Sequence, residues 1–302
     1  MTNSMDILRR NVASDTPFRR RMRLHQAWWR DKHGLPFGSD GEGELGSLIS
    51  KEAADEGRNF LTPEIALLAR RANSRHVDKK RLAENLLSSQ PMAFNLFGPL
   101  AVDPELARVL LTPLLGKPVY VASVEIEVTP PVKADHLEDE TSFDAFVRYA
   151  STDGTIGAIA IETKLSESFS PVTAATNADR AIYRRVSVES GLYKDPMDSG
   201  LATSDHWQMW RNQLLLHKYA QNTCDAVMEK QAWVIHHQDD EAGNRAVGSY
   251  KSLLADSDKS FRQLTLTEVV GAWQNVVLPS WAPWLEAFRE RYVDLGGSAH
   301  LG

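Results

Sequence analysis

The sequence predicts an α/β sandwich, with helices covering a mixed sheet. Three observations carry this. Two apolar strands joined by a short turn lie between Phe143 and Lys164. A strand with period-two alternation, VYVASVEIEVT at 119–129, precedes them. A long apolar helix, DHWQMWRNQLLLHKYAQN, and a further short strand, QAWVIH at 231–236, follow. Helix, strand, hairpin, helix, strand is the order of a layered α/β domain.

The elements follow in chain order. Asp15, Thr16 and Pro17 open a helix over 16–32, with Met22, Leu24, Ala27 and Trp28 on its apolar stripe. Gly34-Leu35-Pro36 ends it. The Gly, Ser and Asp of Phe37 to Gly46 predict a loop. Helical texture returns near Ser50. Thr62-Pro63-Glu64 opens a helix over 63–73, and the pattern resumes over 77–89 through Leu82, Ala83, Leu86 and Leu87. Ser88 to Pro91 breaks it, and Gly98-Pro99 reads as a stop after Phe94, Leu96 and Phe97. A short helix near 103–115 ends at Gly116-Lys117-Pro118. A polar, acidic loop spans Pro130 to Thr141. The segment 171–203 reads as irregular or partly helical, free either to cap the site or to mediate dimer contacts. Beyond the 231–236 strand come a strand at 259–265, a helix at 266–276 and a terminal helix over Pro279 to Tyr292.

A chain of 302 residues is long for one domain but can bury a full core. The division expected is an N-terminal helical region, 1–75, packed on a core at 76–240, with 241–302 adding a strand and helices to the same domain. Cys224 is the only cysteine, which excludes an internal disulfide and a cysteine zinc cluster and fits a cytoplasmic protein. No apolar run approaches the roughly 20 residues of a membrane helix, so no membrane partner is expected. The first residues lack the apolar core of a signal peptide.

Net charge is −6, which taken alone argues mildly against a nucleic-acid partner. Its distribution argues the other way. Arg9, Arg10, Arg19, Arg20, Arg21, Arg23 and Arg30 crowd one segment, and Arg70, Arg71, Arg75, Lys79, Lys80 and Arg81 another. Acids gather elsewhere, at Glu138-Asp139-Glu140 and Asp239-Asp240-Glu241. Two basic patches can grip a polyanion; the competing reading is two solvated helix faces.

The hairpin carries the chemistry. Its turn reads Ser151-Thr152-Asp153-Gly154-Thr155, which suits a three-residue loop with glycine left-handed. That loop places Asp144 opposite Glu162, about 5 Å apart at Cβ on one face. Lys164, two positions on, shares the face. Phe143, Ala145 and Val147 then fall with Ile159 and Ile161 on a core face. A two-residue loop would send Asp144 to the wrong side. Two carboxylates and an ammonium at a sheet edge suit metal-assisted hydrolysis of a phosphodiester. Hard Mg²⁺ takes oxygen ligands, polarises a phosphate and acidifies a water. Lys164 would orient that water or offset charge. The competing reading is a surface cross-strand ion pair.

Other constellations give nothing. His236 and His237 are adjacent on a strand and point to opposite faces. His206 and His217 lie three helical turns apart. No nucleophile elbow, phosphate-binding glycine loop or dinucleotide fingerprint appears. Trp207 and Trp210 read as core.

An Asp at the start of a strand, a hairpin, and an apolar strand ending in Glu-x-Lys (AIAIETK) resemble the PD-(D/E)XK nuclease superfamily. Phe143 stands where a proline often precedes the Asp. ENLLSSQPMAFNLFGPL, SFDAFVRY, IETKLSESFS and HQAWWRDKHGLPFG together are similar to its PGN_0703-like branch of restriction endonucleases, over about 20–240. The resemblance implies a restriction-endonuclease-like core, an α-β-β-β-α-β mixed sheet flanked by helices, here with extra N- and C-terminal helices. It implies a metal-dependent endonuclease using Mg²⁺, with Mn²⁺ able to substitute, that cuts DNA rather than RNA. Asp144, Glu162 and the Thr163 carbonyl would hold the metal, and Lys164 would position the water. Glu84 matches a glutamate that the first core helix often supplies. Asn85 and Gln90 would support the site; Arg211 and Gln213 would touch phosphate or site groups. A role in bacterial defence, as a homodimer or with partner proteins, is the expected setting. The alternative is a nuclease fold without catalysis, serving as a nucleic-acid-binding or assembly subunit.

Overall fold

The computed structural model describes residues 4–72, 77–129, 137, 142–169, 177–222 and 227–301. Arg75, the Glu138-Asp139-Glu140 cluster, Cys224, most of the loop expected over 130–141 and the first residues of the 171–203 segment lie outside them.

Five strands form the central sheet in sequential order. They are β3 (Val119–Val128), β4 (Phe143–Ser151), β5 (Ile156–Lys164), β6 (Glu229–His236) and β7 (Phe261–Thr265). β3, β4 and β5 are antiparallel neighbours; β6 and β7 join in parallel. Parallel joins require crossovers. The helices Trp207–Asn222 and Glu241–Leu253 stand in those two connections. The sheet is thus the expected mixed one, flanked by helices, with further helices before and after it. The Glu241–Leu253 helix has no counterpart in the sequence reading, because its apolar positions Ala246, Val247 and Tyr250 form only a narrow stripe among polar residues.

The hairpin register is the one the turn predicts. Ala145 pairs with Ile161 and Val147 with Ile159, and the Ser151 N–H donates to Thr155 O at 2.8 Å. Gly154 takes φ 85°, a conformation that glycine adopts without steric cost.

Both faces of the sheet are covered. On one, Ala145, Val147, Ile159 and Ile161 pack with Phe94, Phe97, Trp273 and Trp284. On the other, Phe146, Ala158 and Ala160 pack with Trp207, Trp210 and Leu214. The expected core face is therefore correct for Ala145 and Val147 but not for Phe143. Its ring stacks on Phe146 at 5.4 Å and belongs to the second cluster.

Three local expectations are corrected. Phe37 to Gly46 is no loop: β1 (Phe37–Asp40) and β2 (Gly43–Ile49) form a separate hairpin. Gly38 and Gly46 serve close approach, since a Cβ would stand 2.3 Å from Ile49 O on the first and 2.1 Å from Ile7 O on the second. The helix expected over 77–89 ends early, at Lys79–Glu84, since Asn85 leaves it to bridge Leu48. Gly98-Pro99 does not stop a helix but lies inside Ser89–Val102. Pro99 has no N–H to offer four residues back. The Trp284 indole donates to the carbonyl so freed, Asn95 O, at 2.8 Å, and Gly98 lets Ile65 pack close.

Candidate active site

The ends of β3, β4 and β5 bring charged residues together. Glu162 and Lys164 close β5, and both side chains are nearly buried, at 3% and 7% exposed. Lys164 Nζ lies 2.9 Å from Glu162 Oε1. Two amides of the Trp207–Asn222 helix, one helical turn apart, fix this pair. Gln208 Nε2 donates to Glu162 Oε1 while Gln208 Oε1 accepts from Lys164 Nζ at 2.8 Å. Asn212 Nδ2 donates to Glu162 Oε2 at 2.7 Å.

Asp144 is half-buried at the start of β4. Its Oδ2 accepts from the Thr163 N–H at 2.7 Å and from Thr163 Oγ1 at 2.8 Å. Burial, and then the charges of Glu162 and Glu127, push the Asp144 carboxyl well above the usual aspartate range, against the pull of Lys164. Burial alone would push the Lys164 ammonium down, but Glu162, Asp144 and Glu167 hold it above its ordinary value.

Glu127, near the end of β3, belongs to the same group. Its carboxylate is 7% exposed and accepts from Gln90 Nε2 at 3.0 Å. Burial and the nearby Glu162 charge push it up to about 7, although the Gln90 bond and Arg81 favour its anion. Sequence reading missed Glu127, which looks like any polar position in an alternating strand.

Glu167 closes the cluster on the other side. It accepts from Arg81 Nη2 and from the Ser89 N–H, both at 2.8 Å. Burial would raise its carboxyl; Lys164, the Ser89 N–H and Arg81 together bring it below the ordinary glutamate range. It thereby ties the Glu-x-Lys strand to the first turn of the Ser89–Val102 helix.

The remaining predicted residues divide. Gln90 reaches the cluster through Glu127. Glu84 lies 3.9 Å from Lys80 and lines a neighbouring cleft of about 650 Å³ with Arg10, Arg19 and Arg81. Asn85 lines the same cleft, and its Oδ1 accepts from the Leu87 N–H. Gln213 is turned away, bonded to Tyr250 and Ser260. Arg211 is half-buried, with Nε lacking a hydrogen-bond partner. Trp207 and Trp210 are core.

The first basic cluster is not a free patch. Arg9 pairs with Glu44, Arg10 with Asp40 and Glu42, and Arg21 with Asp239. Arg19 and Arg23 both hold Asp15, and Arg30 is buried against the Gly46 and Leu35 carbonyls. In the second cluster Arg70 donates to Asp55 O and Arg81 pairs with Glu167.

Among the described residues, no three His, Cys, Asp or Glu side chains converge closely enough to hold an ion by themselves. Among the same residues, no helix is long and apolar enough to cross a membrane. A family model described as the PD-(D/E)XK nuclease superfamily matches residues 13–294. The chain belongs to that superfamily. The match covers the sheet and the helices on both sides of it. Comparisons with curated proteins and with solved structures each give no match. Membership makes the chain a nuclease by family, with nucleic acid as its substrate class and divalent metal ions as the usual cofactor of its kind.

Proposed function

We propose that this nuclease is a Mg²⁺-dependent endonuclease that hydrolyses phosphodiester bonds in DNA, with Mn²⁺ able to replace Mg²⁺. The observation that carries the reading is the joining of Asp144, Glu162 and Lys164 at the ends of two adjacent strands, where carboxylates outnumber the single ammonium.

The donor set fits such an ion. Mg²⁺ prefers oxygen, keeps several waters and is commonly held by only one or two carboxylates. Asp144 and Glu162 would hold it. In an extended strand a residue's N–H and C=O point to the same edge. Because the Thr163 N–H is given to Asp144, the Thr163 carbonyl is the third candidate ligand. An ion bound there would polarise the scissile phosphate and acidify a water. Lys164, fixed by Glu162 and Gln208, orients the attacking water and offsets developing negative charge. Glu84, from the cleft side, would act through water.

The test is cleavage of plasmid DNA with Mg²⁺ or Mn²⁺, with RNA as comparison. Wild type is expected to cut DNA only with the ion, and Asp144→Ala and Lys164→Ala to abolish cutting with the fold intact. Inactivity of the wild type on every duplex and single-stranded substrate removes the reading. Restriction of foreign DNA in a defence setting, as a homodimer or with partner proteins, is the biological role that accompanies this activity; gel filtration with and without neighbouring gene products tests it.

A second reading has one observation in its favour. Glu162 and Lys164 are 3% and 7% exposed, and both oxygens of Glu162 are already engaged by protein donors. A nuclease fold kept as a nucleic-acid-binding or assembly subunit would tolerate such closure. It predicts DNA binding without cleavage, unchanged by Asp144→Ala.

A further inference from the structure

The pairings of Ile126 with Ala145 and of Val128 with Phe143 bracket Glu127 and Asp144, so these two residues stand at one level of the β3–β4 ladder. The pairing of Ala145 with Ile161 sets Asp144 and Glu162 at the next level of the β4–β5 ladder. Three adjacent strands therefore each deliver one acid to a single row. Like charges brought together under burial are costly unless something positive joins them.

Glu127 is placed there against its backbone preference. It takes φ 56°, and Arg9 is the only other described non-glycine residue with positive φ. A non-glycine side chain in that region is strained and persists where the surroundings demand it. Gln90, in the first turn of the Ser89–Val102 helix, then meets its carboxylate.

A separate observation marks a missing ligand. Asn212 is 5% exposed, and its Oδ1 is buried with no hydrogen-bond partner. Its orientation is fixed by chemistry, since a carboxylate can only accept and Nδ2 is the donor to Glu162. The orphaned oxygen beside Glu162 is an acceptor awaiting a water or a cation. Buried acceptors are rarely left so.

We propose that Glu127 is a third cation-site residue, a carboxylate from β3 that completes the acidic row of Asp144 and Glu162 and holds an ion through its coordinated water. This rests on the metal-dependent reading above. Since, among the described residues, three carboxylates do not converge on one point, Glu127 would hold an ion only through water, with Gln90 as the positioning residue that aims it.

The experiment is calorimetric titration of Mn²⁺ into the full chain as wild type, Glu127→Gln and Glu127→Gly, alongside plasmid cleavage and melting in EDTA. Both variants are expected to bind Mn²⁺ at least tenfold more weakly. Glu127→Gly is expected to melt in EDTA at or above the wild-type temperature, because glycine accepts positive φ and removes a repelled charge. Variants that bind Mn²⁺ as the wild type does overturn the proposal and leave the nuclease reading standing. Weakened binding in the variants with no cleavage by the wild type supports Glu127 and overturns the nuclease reading. A wild type that neither binds Mn²⁺ nor cuts overturns both.

Discussion

Asp15 and Asp144 are both shielded aspartates, one beside the cleft and one in the acidic row, and they are treated in opposite ways. Asp15 receives Arg23 through two hydrogen bonds and Arg19 through a third. Burial would raise its carboxyl, but the two guanidiniums hold it below the usual range. Asp144 has Glu162 and Glu127 as neighbours, and Lys164 does not outweigh them. The first arrangement is complete within the chain and stabilises the fold. In the second, carboxylates outnumber the one ammonium, and the aspartate is left raised. The two lie close in the fold, since Arg19 Nη1 also donates to Ser166 O at 3.1 Å, just beyond Lys164. Position on the chain does not separate the two acids; the balance of charges around each does.

The contrast can be broken at either end. The largest effect is expected on cleavage: Asp144→Asn and Glu162→Gln should each lower the cutting rate by about a thousandfold or more, the scale of losing a preorganised electrostatic contact. Asp144→Asn should melt no lower than wild type in EDTA, since it removes a repelled charge and keeps an acceptor for Thr163; Glu162→Gln leaves the buried Lys164 without its ion partner and should melt lower. A loss of activity accompanied by unfolding on circular dichroism would contradict that assignment.

Asp15→Ala should do the reverse. It strands Arg23, which is 7% exposed, and removal of one partner from a buried pair costs about 3–5 kcal/mol. Urea titration should show that loss. Equal stabilities for Asp15→Ala and Asp144→Asn would erase the difference drawn between the two sites.

Stability against pH sharpens it further. Glu127 is raised from 4.5 to about 7 in the fold. Between those values the folded protein keeps a proton that the unfolded chain has released, so its contribution is full below about 4.5 and is lost as pH rises through 7. Buried His25 and His237, both lowered from 6.5, act oppositely: their contribution falls as pH drops below 6.5. The melting temperature of wild type minus that of Glu127→Gln isolates the acid. In EDTA this difference should fall between pH 5 and pH 7.5, and saturating Mn²⁺ should flatten it. A difference independent of pH in EDTA would contradict the placement of Glu127.

The smallest effect is expected at the surface. Arg21 and Asp239 pair at 2.9 Å, but their side chains are 56% and 41% exposed. Arg21→Ala should change stability by about 0.5 kcal/mol or less, measured by the same urea titration. A loss as large as that of Asp15→Ala would mean that this surface pair carries as much of the fold as the buried one.

The parts of this legible in sequence were those encoded locally. Thr152-Asp153-Gly154 specifies its own loop length, and loop length fixes register, so the pairing of Asp144 with Glu162 is written in the local sequence. Glycine was misread wherever its purpose was tertiary. Gly46 admits the Ile7 backbone and Gly98 admits Ile65, yet both resemble breakers. The side chains that complete or close the cluster were invisible for a similar reason. Glu127, Glu167 and Gln208 look like ordinary surface polars until the sheet and the Trp207–Asn222 helix are assembled. The four-residue spacing of Gln208 and Asn212 was the available signal, because it places two amides on one helical face. The Arg-rich first thirty residues misled in the opposite direction, since their acidic partners Glu44, Asp40 and Asp239 are far enough along the chain to escape a composition count.

The central claim is that Asp144 and Glu162 form a divalent-ion site. Calorimetric titration of Mn²⁺ into the wild type and Asp144→Asn, in the same buffer near pH 7.5, tests it most directly. The account predicts a saturable binding event in the wild type that Asp144→Asn loses while remaining folded. Identical heats for the two proteins, or none for either, would contradict it.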